Sequence, residues 1–167
     1  AGEGQTVLLI EPSDPLGGLT TGGLGQTDMG RNQQLQGIAR QFYKDIGAHY
    51  GEHEKIVFEP KVASAIFERY LDHPGITVLR SWGLSRVHLK KGAIASLSVS
   101  ALDGDGNFTS RHKRVRAAVY IDASYEGDLM ASSGVSYTTG RESADTYGES
   151  WNGAHLAKYH EFPDGVD

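Results

Sequence analysis

The chain has 167 residues, enough for one domain with its own core, and its 38% hydrophobic and 22% charged residues fit a globular protein. A formal net charge of −5 argues against a general nucleic-acid or membrane-surface binder, and the lack of cysteine excludes a disulfide framework, a thiolate metal site and a redox dithiol. No apolar run approaches the length of a membrane span. Glycine, at 22 residues, is about twice its average share without a collagen period, so it serves turns and close approaches.

In chain order, Val7-Leu8-Leu9-Ile10 predicts a buried parallel strand over residues 6–11 that stops at an acid, Glu11. Pro12 and Ser13-Asp14-Pro15 turn the chain into a glycine loop over residues 12–30, with Gly17-Gly18, Gly22-Gly23 and Gly25. A strand that ends in a carboxylate and enters such a loop suits nucleotide binding. The acid can accept hydrogen bonds from ribose hydroxyls, and glycines let backbone N–H groups approach a ligand. No Lys-Ser/Thr follows the glycines, so this is not a Walker loop.

Gln36 to Gly51 reads as a helix with Ile38, Phe42, Ile46 and Tyr50 on one face, its end weakened by Gly47 and Gly51. Glu59-Pro60 opens a second helix, buried along Val62, Ala63, Ile66, Phe67, Tyr70 and Leu71 and stopped by His73-Pro74-Gly75. A short strand, Ile76–Leu79, follows. Period-two alternation over Leu84–Leu89, Ile94–Val99 and Phe108–Val115, with turns at Lys90-Lys91-Gly92 and Asp103–Asn107, predicts a three-stranded antiparallel meander. The basic cluster Arg111-His112-Lys113-Arg114, with Arg116, reads as a solvated strand entry rather than a phosphate track. Ala117–Ile121 is expected to be another buried strand, Glu126–Ser133 a short helix stopped by Gly134, the tail from Val135 irregular, and Trp151–Tyr159 a helix. Periodicity alone supports an α/β fold.

VLLIEP followed by LGGLTTGGLGQTDMG, and later YIDASYEGDLMASSGVSYTTGRE, resembles the FAD-dependent oxidoreductases whose flavin domain is of the glutathione-reductase type. The resemblance covers roughly residues 6 to 155. It implies an incomplete Rossmann-like FAD-binding domain with an inserted three-stranded meander. The acid strand comes almost at once, and the G-x-G-x-x-G turn that normally precedes it is not in this sequence. The chain is therefore expected to be one incomplete domain, an internal piece of a larger flavoprotein. Its parts are 6–31 (acid strand and glycine loop), 36–75 (helices), 76–116 (strand and meander), 117–134 (core strand and short helix) and 135–167 (tail). Alone it is expected to bind FAD weakly or not at all, with a partner segment or chain completing the sheet.

The resemblance assigns Glu11, with Pro12 beside it, to the adenosine ribose; the alternative is a solvated acid in a turn. Gly17 and Gly18 would face the ribitol and pyrophosphate, Leu16, Thr20, Thr21 and Gln26 to Asp28 would lie near the flavin end, and Gly22 and Gly23 would line the same cofactor loop. Asp28 and Arg31 either orient a substrate or form a surface pair. Leu84, or its neighbours Gly83 and Ser85, would give backbone contacts to adenine or simply pack the meander. Ala123, Ser124 and Asp128 would lie by the pyrophosphate, although Tyr125 departs from the commoner glycine there. Glu126 and Asp128 would otherwise place charge in a helix's first turn. Arg141 holds a phosphate or carboxylate, or pairs with Glu142 or Glu149. The histidines lack metal-ligand spacing. The activity implied is hydride transfer from a small-molecule substrate to FAD; the alternative is a non-catalytic nucleotide-binding or interaction module. No catalytic residue and no compartment follow from the sequence.

Overall fold

The computed structural model describes residues 4–28 and 34–153. They divide into two compact units, one up to Ser133 and one from Gly134. The first is α/β: strand β1 (Val7–Glu11), a single helical turn α1 (Leu19–Gly22), helices α2 (Gly37–His49) and α3 (Pro60–Leu71), strands β2 (Ile76–Arg80), β3 (Trp82–Lys90), β4 (Ala93–Leu102) and β5 (Phe108–Val115), and a short helix α4 (Asp128–Ser132). The second holds one helical turn, α5 (Ala144–Tyr147).

β1 pairs with β2 in parallel, from Val7 opposite Ile76 to Glu11 opposite Arg80. A parallel pair needs a long crossover, which α2 and α3 supply. The two helices enclose a cluster of Phe42, Ile46, Phe58, Val62, Ala63 and Ile66. Burying side chains of this size contributes about 1.5–3 kcal/mol each. Ile38, expected on the same face, lies outside this cluster and is exposed, because the first turn of α2 extends past it. Gly51 does not weaken the end of α2 but caps it. It adopts φ 74°, its N–H donates to Ala48 O at 3.3 Å, and Glu52 N–H donates to Gly47 O at 2.8 Å. Gly47 admits the returning loop: a Cβ there would lie 2.7 Å from Glu54 N.

β3, β4 and β5 form the expected antiparallel meander. Lys91 and Gly92 both take positive φ (52° and 78°), as a two-residue hairpin turn of this hand requires. Trp82, Leu97, Val99 and Ala101 form its buried face, joined by Ile10, Leu79, Tyr120 and Leu129.

Three expectations are corrected. β1 is parallel but not buried throughout: Val7 and Leu8 are exposed, because only its far end reaches the apolar cluster. Ala117–Ile121 forms no strand. Nothing among the described residues pairs with its backbone as a ladder, and Val119 and Ile121 are 71% and 81% exposed. Only Tyr120 packs inward, its hydroxyl accepting from Ala117 N–H at 3.0 Å. The short helix begins at Asp128 rather than Glu126, since Gly127 takes a left-handed φ of 72°. Of the expected Trp151–Tyr159 helix, residues 151–153 are non-helical and the rest lies outside the described residues.

Candidate functional site

Glu11 closes β1, half-buried. Its Oε1 accepts from Ser13 N–H at 2.8 Å and Ser13 Oγ at 2.6 Å. Among the described residues Oε2 accepts no hydrogen bond, so one carboxylate oxygen is left for a hydroxyl donor. The turn beyond Pro12 is fastened from below: Arg80 donates to Asp14 O at 2.6 Å and to both oxygens of Glu68 on α3.

The glycine loop then closes on itself. Leu16 is buried, and its carbonyl accepts from the Thr21 hydroxyl. Gly17 has φ 104°, and a Cβ there would come within 2.7 Å of Thr21 and 2.9 Å of the Phe67 ring. Gly18 has φ 54° and ψ −131°, a conformation that side chains resist. Over Gly18 sits Tyr125, 107 residues further along the chain, its phenolic oxygen accepting from Leu19 N–H at 2.9 Å and lying where a Gly18 Cβ would be. A Cβ on Gly22 or Gly23 would meet nothing within 4 Å. Past the loop, Gly25 hugs Phe58, whose N–H donates to Gly25 O at 2.8 Å, and Gln26 bridges Val57. Asp28 is exposed; Arg31 lies outside the described residues.

The segment that carries Tyr125 is held by Asp122. Its Oδ1 accepts from Ser124 N–H at 3.0 Å and Ser124 Oγ at 2.7 Å, and its Oδ2 accepts from Met130 N–H at 3.0 Å. The Ser124 hydroxyl, followed by the Met130 and Ser124 amides, holds the Asp122 carboxyl below the usual carboxylate range. Ser124 Oγ in turn accepts from Gly127 N–H at 3.0 Å. Ala123, Ser124 and Asp128 are exposed.

The structure thus brings Leu16, Gly17, Gly18 and Thr21 together with the Asp122–Asp128 turn through Tyr125. Leu84 lies apart from them, in the meander: its backbone pairs with Val99 and its side chain joins the apolar cluster. Gly83 is buried under Phe108. Arg141 pairs with neither Glu142 nor Glu149. It donates to Gly153 O at 3.3 Å, while both acids accept from Asn152. Ser13, Arg80 and Tyr125 hold positions here to which sequence reasoning gave no role. The signal for Tyr125 was present, since a large side chain replacing glycine must find a space free of Cβ, and Gly18 provides one. A shallow groove between α2 and α3, lined by Asp45, His49, Lys61, Val62, Ile66 and Arg69, contains no residue of the glycine loop.

An acid-terminated parallel strand, a positive-φ glycine loop with an amide offered to an oxygen, and an antiparallel meander make up an α/β fold. The family model for FAD dependent oxidoreductase matches residues 1–165, and the chain belongs to that family. FAD is accordingly its cofactor. No curated protein and no solved structure matched the chain.

Proposed function

We propose that the chain supplies the ribose- and pyrophosphate-facing wall of an FAD site in an oxidoreductase that takes hydride from a small organic substrate. The supporting observation is the Leu19 N–H next to Gly18, which donates to the Tyr125 hydroxyl. The loop already presents an N–H to an oxygen, that of Tyr125, in the stretch where the resemblance expects cofactor-facing amides. The flavin, when bound, accepts the two electrons and proton of a hydride and passes the electrons on. This chain's residues bind and orient. Glu11, held by Ser13, offers Oε2 to the ribose hydroxyls. Gly17 and Gly18 let Thr21, Phe67 and the Tyr125 hydroxyl close on the loop backbone. Arg80 keeps the turn seated on α3. Ala123, Ser124 and Asp128 lie in the turn that brings Tyr125 to the loop, and Leu84 lends only its meander backbone.

Titrating FAD into the purified chain, read by visible flavin absorbance and fluorescence, tests this. Binding by this chain alone is expected to be weak. Glu11→Ala should weaken it about tenfold, the equivalent of one hydrogen bond to a charged group. Unchanged affinity in a folded Glu11→Ala protein would remove Glu11 from the site and favour a plain scaffold role for the strand end.

A further inference from the structure

The meander has two unlike faces. One is the apolar face of Trp82, Leu97, Val99 and Ala101. The other is set by the register of the strands. Arg86 on β3 stands opposite Ser98 on β4, which stands opposite Arg114 on β5. One step along the sheet His88 faces Ser96, and one step the other way Ser100 faces His112. Three serines therefore floor this face, with an arginine on each flanking strand. The flanking strands are about 10 Å apart, twice the inter-strand spacing, a gap that two arginine side chains can close around one small group.

The floor is ordered. Arg114 Nε donates to Ser96 Oγ at 2.9 Å, His88 Nε2 lies 2.8 Å from Ser98 Oγ, and Ser100 Oγ donates to Ser85 Oγ at 3.1 Å. Ser96 and Ser100 are buried beneath these side chains. The charge is not balanced. Strands β3, β4 and β5 contain Arg86, Lys90, Arg111, Lys113 and Arg114 and no acidic residue, in a chain whose net charge is −5. Among the described residues neither Arg86 nor Arg114 has a carboxylate partner. Arg111 and Lys113 are engaged elsewhere, each over the Trp82 ring. The groups facing His88 are Arg86 from its own strand, Ser96 and Ser98 from β4 and Arg114 from β5. Burial of the ring, then the Arg114 and Arg86 charges, hold His88 below the usual imidazole range.

We propose that this face binds a phosphoryl group, clamped between Arg86 and Arg114 over the half-buried hydroxyl of Ser98, at a site distinct from the glycine loop. The donors are the two guanidinium groups, one from each side, and the Ser98 hydroxyl between them, while Ser96 and Ser100 hold the floor in place. That arrangement suits the divergent oxygens of a tetrahedral anion better than the single edge of a carboxylate. The ligand would be a phosphorylated small molecule or inorganic phosphate.

The experiment is an NMR titration of the full chain with inorganic phosphate at constant ionic strength, following the His88 ring and the Arg114 Nε–H. A parallel arm uses a phosphate monoester, glycerol 3-phosphate, and controls use chloride and acetate. Phosphate should give a saturable response and raise the His88 pKa, because its negative charge offsets both guanidinium groups. Tighter binding of the ester than of phosphate would assign the site to an organic phosphate, and the reverse to free phosphate. Arg114→Gln and Arg86→Gln, both on exposed side chains, should each weaken the response at least tenfold. An equal response to chloride or acetate, or undiminished saturation in the double variant with a wild-type fold, overturns the proposal.

Discussion

At Gly18 two demands meet on one residue. Its φ of 54° with ψ −131° is costly for any residue with a Cβ, of order 1–3 kcal/mol. The Tyr125 hydroxyl fills the space that Cβ would take. Gly18→Ala should therefore cost more than backbone strain alone. Tyr125→Phe keeps the ring but leaves the Leu19 amide without its acceptor, a loss of about 1 kcal/mol for an exposed group. In Gly18→Ala/Tyr125→Phe the colliding oxygen is gone, so the two costs should not add. A double-mutant cycle by urea denaturation is expected to show a favourable coupling of at least ~0.5 kcal/mol. Strict additivity would mean that the phenol does not sit over Gly18. The cycle also separates structure from function, since it reads stability without FAD.

At the scale of elements, legibility followed the local rules. α3 could be read from Pro60 and its buried stripe, and the β3–β4 hairpin from Lys91-Gly92, because each is fixed by residues a few positions apart. Ala117–Ile121 was misread for a non-local reason: an apolar, β-branched run becomes a strand only where another strand offers its edge, and none of the described residues does. The candidate site divides the same way. Glu11 and the glycines were visible as a local pattern, whereas Tyr125 and Arg80 act across long sequence separations that no spacing rule reports. The neighbouring Asp122 turn makes a pH-dependent prediction. The Asp122 carboxyl titrates below its unfolded value in the folded chain. Its contribution is therefore fully present above the unfolded value, near ~3.9, and is lost as pH falls through the lower folded value. Amide protection at Met130 should decline over that acidic window in the wild type. In Asp122→Asn it should be low at neutral pH already. Protection at Met130 that is unchanged by Asp122→Asn would show that α4 is held by packing of Leu129 alone.

For the whole molecule, what matters is how little of the first unit's parallel sheet is closed. Its helices α2 and α3 have one apolar cluster and the meander another, and β1 with β2 lies beside the second through Ile10 and Leu79. β1 is bonded on one side. Val7 N–H donates to Gly75 O at 2.8 Å, and with Val7 in register with Ile76 the alternation of a parallel ladder turns the N–H groups of Leu9 and Glu11 to β2 as well. The N–H of Leu8 then points to the other edge, which pairs with no strand among the described residues. Leu8 is also 39% exposed. Hydrogen exchange at low protein concentration should find Leu8 exchanging at least about tenfold faster than Leu9, because the ladder protects one and not the other. If the edge accepts a strand from a second copy or a partner segment, raising the concentration or adding that segment should slow Leu8 and leave Leu9 unchanged, as edge pairing would. Equal protection of the two amides at high dilution would mean that the edge is already covered within the chain, and the description of β1 as an edge strand would fail.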